Sequence, residues 1–194
     1  MKLSLEVKDS RLLNLYLDEE KVHTVDKMLF SRKLASWDVA SKEEFEERFL
    51  ALEYKVSLNL ALRRLAMKSL HSQELASILQ KRLISSETAS RVITYFSDLN
   101  YLDDAAWLQR FVEKLVKQGK SAREIFAKGR ARGIATQELL PLLQKVNSDS
   151  LKILVTKRYP QLLDKKSTFQ QKQKAMGALY RKGFSVDDIR SICK

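Results

Sequence analysis

The sequence has little of the material from which disulfide frameworks, metal sites and large sheets are built. It has a single cysteine, Cys193, so no internal disulfide can form, and a reducing, cytoplasmic location is expected. Five glycines and two prolines leave few tight turns, which favours long helices with short connections. The two histidines, His23 and His71, have no Cys, Asp or Glu placed around them at the spacing of a metal site.

Motifs of catalysis are also missing from the sequence. We find no zinc pattern, Walker loop, nucleophile elbow or dinucleotide-binding glycine motif. The paired carboxylates of Asp103 and Asp104 stand where a helix cap is expected, and we interpret them as a cap rather than as a metal site. The N-terminal residues lack a signal-peptide core, and no apolar run is long enough to span a bilayer. We therefore predict no enzymatic activity, no cofactor, no metal and no membrane association.

What the sequence does contain is an internal repeat with a period of 50 residues. The segment 82–84 (Arg-Leu-Ile) aligns with 132–134 (Arg-Gly-Ile) and then with 182–184 (Lys-Gly-Phe). Apolar positions on either side of these segments also fall on apolar positions. Such self-similarity is typical of helical repeat proteins, because each unit must bury the same apolar face against its neighbours. We predict a mainly α fold, a tandem array of three three-helix repeats, curved and elongated, with a small N-terminal β-hairpin or meander.

The predicted divisions follow this period. In the first fifty residues Leu13, Leu15 and Leu17 alternate with polar side chains, which predicts two or three strands. The predicted domains are therefore a strand-rich extension and three helical repeats, at residues 1–50, 51–102, 103–147 and 148–194.

Several helix limits are predicted from capping residues and prolines. Asp26 should cap a short helix through Phe30, and Ser41 should begin a helix that runs to about residue 69, with a break near Ala51 left open. Pro141 should either kink its helix or show that this helix begins later than Thr136. The first helix of the third repeat is expected at about residues 149–159, and the last one at about 186–193.

Positive charge is concentrated in the repeats. The whole chain has a net charge of +12, yet residues 1–50 carry 9 basic and 11 acidic side chains, so residues 51–194 carry the excess. A helical array this basic is expected to meet a polyanion, or a protein assembled on one, with strong salt dependence. The alternative is a charge that serves solubility only.

Three motifs resemble the bacterial RecX regulatory family. They are the segment 99–104 (Leu-Asn-Tyr-Leu-Asp-Asp), the pair Gly133-Ile134, and the closing segment 181–184 (Arg-Lys-Gly-Phe) with Asp188-Ile189. The resemblance covers residues 55–193, and Tyr16-Leu17-Asp18 looks like the extension of longer members. Asn100 replaces a usual glycine and should accept the same left-handed conformation, whereas Leu83 should not, so its turn is expected to differ.

The resemblance implies a regulatory protein that binds the RecA recombinase filament along its helical groove and contacts both protein and DNA. It would thereby limit filament growth, recombination and the associated coprotease response. We expect a monomer that binds single- and double-stranded DNA only weakly by itself. A direct, sequence-nonspecific nucleic-acid-binding repeat protein is the alternative.

Basic residues on the repeats are the predicted partner-binding or DNA-binding face. Helix-end cations could equally complement the helix dipole, so for Lys81-Arg82 and Arg181-Lys182 both interpretations stay open. Tyr101, Trp107 and Phe126 resemble base-stacking residues, but their helical spacing favours core packing. The predicted face comprises Arg63, Arg64, Lys68, Lys81, Arg82, Lys120, Arg123, Lys128, Arg130, Arg132, Arg181 and Lys182.

Overall fold

The alternating N-terminal segment folds into the predicted meander. The computed structural model describes residues 1–35, 37–164 and 166–192. Strands β1 (Leu3–Val7), β2 (Leu12–Leu17) and β3 (Glu20–Asp26) pair antiparallel in chain order. The three leucines of β2 that were expected to point inward are buried. Asp18 and Glu19 connect β2 to β3 with φ of 44° and 71°, the positive values that a two-residue hairpin turn requires.

Two helices follow the sheet, and both begin at the predicted caps. Asp26 Oδ1 accepts hydrogen bonds from the backbone N–H groups of Met28 and Leu29 at the start of α1 (Lys27–Leu34). Ser41 Oγ accepts from the Glu44 N–H at the start of α2 (Lys42–Met67). The helix α1 runs four residues beyond the predicted end at Phe30. The helix α2 is continuous, so a break near Ala51 is wrong.

The chain divides into two compact units, Met1–Asp103 (unit 1) and Asp104–Lys194 (unit 2). In unit 1, α3 (Ser72–Gln80) and α4 (Ser86–Asp98) pack with α2. The remaining elements are helical and belong to unit 2: α5 (Asp104–Lys117), α6 (Ala122–Arg130), α7 (Thr136–Leu143), α8 (Val146–Arg158), a 3-10 turn (Pro160–Leu162), α9 (Phe169–Arg181) and α10 (Val186–Ile192). The predicted class, mainly α with a small N-terminal meander, is confirmed.

Each unit buries its own apolar side chains. Unit 1 has one core cluster, in which the inner face of the sheet packs with Phe30, Phe45 and Phe49 of α1 and α2. Unit 2 has two clusters, one around Ile125, Ile134 and Leu139 and the other formed by residues of the segment 151–192. The division into three repeats stays a prediction.

The backbone repeats with the predicted period. Leu83, Gly133 and Gly183 all have positive φ, at 60°, 83° and 92°. In each case the next residue donates its N–H to the carbonyl five positions earlier, at 3.2, 3.2 and 3.3 Å for Ile84, Ile134 and Phe184. The left-handed residue itself donates to the carbonyl three positions earlier. This pattern is a Schellman motif, and it ends α3, α6 and α9 in the same way.

The turn at Leu83 therefore does not differ from the other two, and that expectation is wrong. Leucine adopts the left-handed conformation because the motif buries Leu79 and Ile84 together, which outweighs the strain of one residue. Asn100 also has positive φ, 58°, as expected.

Two helix limits around the end of α7 also differ from expectation. The helix α7 begins at Thr136, contains Pro141 and ends two residues later, so a later start is wrong. Because proline has no N–H to donate, it weakens the last turn without shifting the first. The helix α8 begins at Val146, three residues earlier than predicted. The predicted end of α10 at Cys193 lies outside the described residues.

Candidate partner-binding surface

The first part of the candidate surface is the N-terminal end of α6 in unit 2. Ser121 caps α6 by accepting a hydrogen bond from the Glu124 N–H, and Glu124 accepts one from the Ser121 N–H in return. This capping box fixes the direction in which α6 leaves the preceding loop. Lys120 Nζ lies 2.9 Å from Glu124 Oε1, so this predicted cation is already paired. Arg123, in contrast, projects from the first turn and is exposed.

The end of α9 meets this first turn of α6. Ser121 is fully buried, and its Oγ donates a 2.6 Å hydrogen bond to the backbone carbonyl of Lys182. At Gly183 a Cβ would lie 3.0 Å from Ser121 Oγ and 3.1 Å from the Cβ of Arg123, so only glycine permits this approach. The contact holds the backbone at Lys182 and Gly183 against Ser121 and Arg123, so Arg181 and Lys182 belong to a segment whose end contacts Arg123. We call these three cations the α6–α9 junction.

Two further cations of α6 and its C-terminal turn are engaged inside unit 2. Arg130 Nη1 donates a 2.8 Å hydrogen bond to the Ile134 carbonyl, which stabilises the turn after α6. The guanidinium carbon of Arg132 lies 5.7 and 5.1 Å from the ring centres of Trp107 and Phe111, a cation–π arrangement. Lys128 is exposed but lies roughly 140° around the helix from Arg123. Arg123 and Arg130, seven residues apart, share one face of α6, whereas Lys128 lies on another.

The cations of unit 1 lie around the C-terminal half of α2 and the end of α3. Arg63 and Arg64 line a cleft between α1 and α2, together with Arg82. Arg82 Nη1 donates to Asp26 Oδ2 at 2.9 Å, and the Asp26 side chain is only 2% exposed. Arg82 therefore neutralises a buried carboxylate, and its first role is structural. Lys68 and Lys81 are exposed at the ends of their helices.

The aromatic side chains singled out from the sequence have different environments. Trp107 is buried and stacks on Phe111, with ring centres 5.1 Å apart, so core packing is confirmed for it. Phe126 is half buried at the edge of the same cluster. Tyr101 is 57% exposed, so its assignment to the core is wrong. It follows the left-handed Asn100, and that turn leaves its ring edge-on against Phe96 at the surface.

The two histidines and the carboxylates of the described ranges are the side chains that could form a metal-type arrangement. No group of three or more His, Cys, Asp or Glu side chains there is arranged to hold a metal ion. His23 stacks on Phe49 and lies 3.1 Å from Glu46, and His71 caps α3 from a buried position. Both histidines are therefore parts of the fold. Within the same ranges no helix combines the length and the apolar composition that crossing a bilayer requires.

Comparisons with known proteins agree with the helical repeats. The family model described as RecX, third three-helix domain, matches residues 148–193. Regulatory protein RecX from Bacillus subtilis is 28% identical over 97% of this chain and 73% of its own length. The protein of the same name from Lactobacillus johnsonii is 26% identical over 96% and 70%. The chain is therefore similar to regulatory proteins of the RecX family over nearly its whole length.

Two solved RecX structures share the fold. A crystal structure of regulatory protein RecX matches with a TM-score of 0.60 at 18% identity, covering 97% of both chains. RecX from Lactobacillus salivarius matches with a TM-score of 0.61 at 23% identity, covering 73% of this chain and 95% of its own. At these identities the two structures show that the fold is shared.

Sequence reasoning missed the contacts that decide which cations of this chain are available. Ser121 and Lys182 are 61 residues apart, and Asp26 and Arg82 are 56 apart. Neither pair has a local sequence signal. Gly183 ends α9 with positive φ, and its close approach to Arg123 also depends on the absence of a side chain.

Proposed function

We propose that this protein binds the RecA recombinase filament in its helical groove, contacts both protein and DNA, and limits filament growth, recombination and coprotease activity. The observation that carries the proposal is the α6–α9 junction. Its three cations lie on the first turn of α6 and at the end of α9, two segments that a buried hydrogen bond from Ser121 to the Lys182 carbonyl holds in contact.

The charges at the junction are open to a partner. Within the ranges described, Arg123, Arg181 and Lys182 have no carboxylate at ion-pair distance. Cations without an internal partner on neighbouring segments attract an anionic partner. Arginine suits this role because its planar guanidinium binds a phosphate or a carboxylate through two parallel hydrogen bonds.

The similarity to RecX proteins supports a regulatory partner rather than a substrate. The relatives carry the name regulatory protein RecX. A filament of protein on DNA would offer the junction carboxylates and phosphates that repeat along its length. Exposed cations on a helical repeat protein can meet such a surface through shallow contacts, each of modest strength.

The decisive experiment compares affinities for single-stranded DNA with and without a RecA coat, at several salt concentrations. Filament binding predicts tighter association with coated DNA. Direct nucleic-acid binding predicts similar affinity for bare DNA, and a slope of log affinity against log salt of about −0.7 for each phosphate contacted. Equal affinity for coated and bare DNA would overturn the proposal in favour of that alternative.

A variant of the junction tests the site separately. Replacing Arg123, Arg181 and Lys182 by Gln should weaken filament binding about tenfold to a hundredfold, since three exposed charge contacts are lost. Arg130 and Arg132 are left unchanged because they stabilise the fold. The matched control replaces the exposed Lys152, Lys157 and Arg158 of α8 by Gln, which removes the same net charge from the same unit. If both variants lose the same affinity, only overall charge matters and the junction is not the site.

A further inference from the structure

A cleft in unit 1 combines an apolar floor with a cationic rim. It lies between α1 and α2 and has a volume of about 450 Å³. Met28 and Lys33 line it from α1, and Arg63, Arg64 and Met67 line it from α2. The helix α1 belongs to the N-terminal extension, so this cleft joins the extension to the helices that follow. We call it the α1–α2 cleft.

The charge of the cleft has one sign. Its lining includes four cations and no carboxylate. Arg82 is neutralised by Asp26 at 2.9 Å, whereas Lys33, Arg63 and Arg64 have no ion-pair partner in the part of the chain that the structure describes. Two other acidic side chains of residues 1–50, Glu20 and Glu44, pair away from the cleft with Lys42 and Arg48. The cleft is therefore locally cationic although its N-terminal segment is not.

Two exposed methionines distinguish this cleft from a phosphate-binding groove. Met28 is 81% exposed and Met67 is 78% exposed. Methionine and arginine are enriched in the cores of protein interfaces, where the flexible thioether side chain adapts to an apolar partner. Sites for single-stranded nucleic acid use aromatic rings on which bases stack, and the lining of this cleft contains none. These observations favour a protein segment as the ligand.

We propose that the α1–α2 cleft binds an acidic protein segment that carries an apolar side chain. The apolar side chain packs between Met28 and Met67, and the carboxylates of the segment pair with Lys33, Arg63 and Arg64. This inference rests on the proposed function in one respect: the segment would belong to the protein of the filament that this chain is proposed to regulate. It deepens that proposal by assigning the two units different ligands, protein at the cleft and a polyanion at the α6–α9 junction.

The test measures binding of a fluorescein-labelled peptide of glutamates and leucines to the full chain by anisotropy. A second peptide has serine in place of leucine, and a thymidine oligonucleotide of the same charge serves as the nucleic-acid probe. One variant carries Met28→Gln and Met67→Gln, and another carries Arg63→Gln and Arg64→Gln. The matched control carries Leu50→Gln and Leu62→Gln, which are about half exposed on α2 and do not line the cleft.

The leucine peptide should bind more tightly than the serine peptide and the oligonucleotide. Each cleft variant should weaken its binding about tenfold, and the control should change it less than about twofold. If the serine peptide binds as well as the leucine peptide, or if the methionine variant binds unchanged, the apolar part of the proposal is wrong. If the oligonucleotide binds best and only the arginine variant weakens it, the cleft is a phosphate site instead.

The two proposals can fail separately. The junction variant should bind the leucine peptide as the unaltered protein does. Peptide binding without any preference for RecA-coated DNA would overturn the proposed function and leave the cleft assignment standing. Preference for coated DNA without binding of the leucine peptide would overturn the cleft assignment alone.

Discussion

Removing the buried carboxylate of Glu53 should destabilise unit 1. Glu53 lies on α2 and is only 4% exposed. Its Oε1 accepts from the Ser85 backbone N–H at 3.0 Å, and its Oε2 accepts from the hydroxyls of Ser85 and Thr88. Ser85 caps α4, so the carboxylate joins α2 to the first turn of α4.

The magnitude follows from which partners stay buried. A hydrogen bond to a charged group contributes about 1.5 to 3 kcal/mol. Ser85 is exposed and can bond to water after Glu53→Ala, whereas Thr88 is 2% exposed and loses its partner outright. Part of the loss is offset because a buried carboxylate no longer needs to be desolvated. We expect Glu53→Ala to lower the free energy of unfolding by about 2 to 4 kcal/mol, and Glu53→Gln by about 1 to 2, since the amide keeps one acceptor oxygen.

The chain offers a clean assay for this prediction. It has two tryptophans, one in each unit, so a Trp107→Phe background leaves Trp37 to report the unfolding of unit 1 in urea. Trp37 packs edge-on against Phe45, with ring centres 6.1 Å apart, and is sensitive to loss of that core. The control is Glu47→Ala, an exposed carboxylate on the same helix, which should change stability by less than about 0.5 kcal/mol. An unchanged urea midpoint for Glu53→Ala would refute the reasoning.

Two further changes follow from local backbone geometry. Leu83→Gly should raise the stability of unit 1 by about 1 kcal/mol in the same assay, because glycine adopts positive φ without strain. The control, Lys81→Gly, changes a right-handed residue of the same turn and should lower the stability of unit 1. A loss of stability for Leu83→Gly would mean that its side chain contributes more than its strain costs. The pKa of Glu44 is lowered, first by the hydrogen bond from the Ala40 N–H. Its contribution to stability should therefore be present above the ordinary glutamate pKa and be lost as pH falls through the lowered value, and Glu44→Gln should flatten that part of the pH profile. Identical acid profiles with and without Glu44 would contradict this.

The parts of the fold that sequence predicts are those with a local cause. Asp26 and Ser41 cap helices because a short acceptor side chain satisfies free N–H groups two or three residues on. The alternation of β2 is equally local, since side chains on a strand point to opposite faces. Pro141 shows the limit of such reasoning. The effect of Pro141 depends on how many helical residues follow it, and tertiary packing decides where the helix ends.

The availability of each cation, in contrast, could not be predicted. A sequence shows that Arg82 and Arg123 are basic, but the partner of Arg82 is 56 residues away, on the last residue of β3. Long-range contacts of this kind come from tertiary packing, which the spacing of residues along one helix does not encode. The same limit applied to Arg132, whose guanidinium lies over two rings of α5.

The Schellman turns explain why cations recur at these helix ends without having one function. Each turn needs a left-handed residue followed by a buried apolar one, and both requirements are met at 83–84, 133–134 and 183–184. The position just before the left-handed residue is fixed in space by the turn, and a cation there opposes the partial negative charge at the helix end. The environment then differs: Arg82 meets a buried carboxylate, Arg132 meets aromatic rings, and Lys182 has no ion-pair partner among the described residues, while its carbonyl accepts from Ser121. The cations therefore recur in the sequence because the three helices end in the same way. A cation at such a helix end can bind a partner only if no group inside the protein already neutralises its charge.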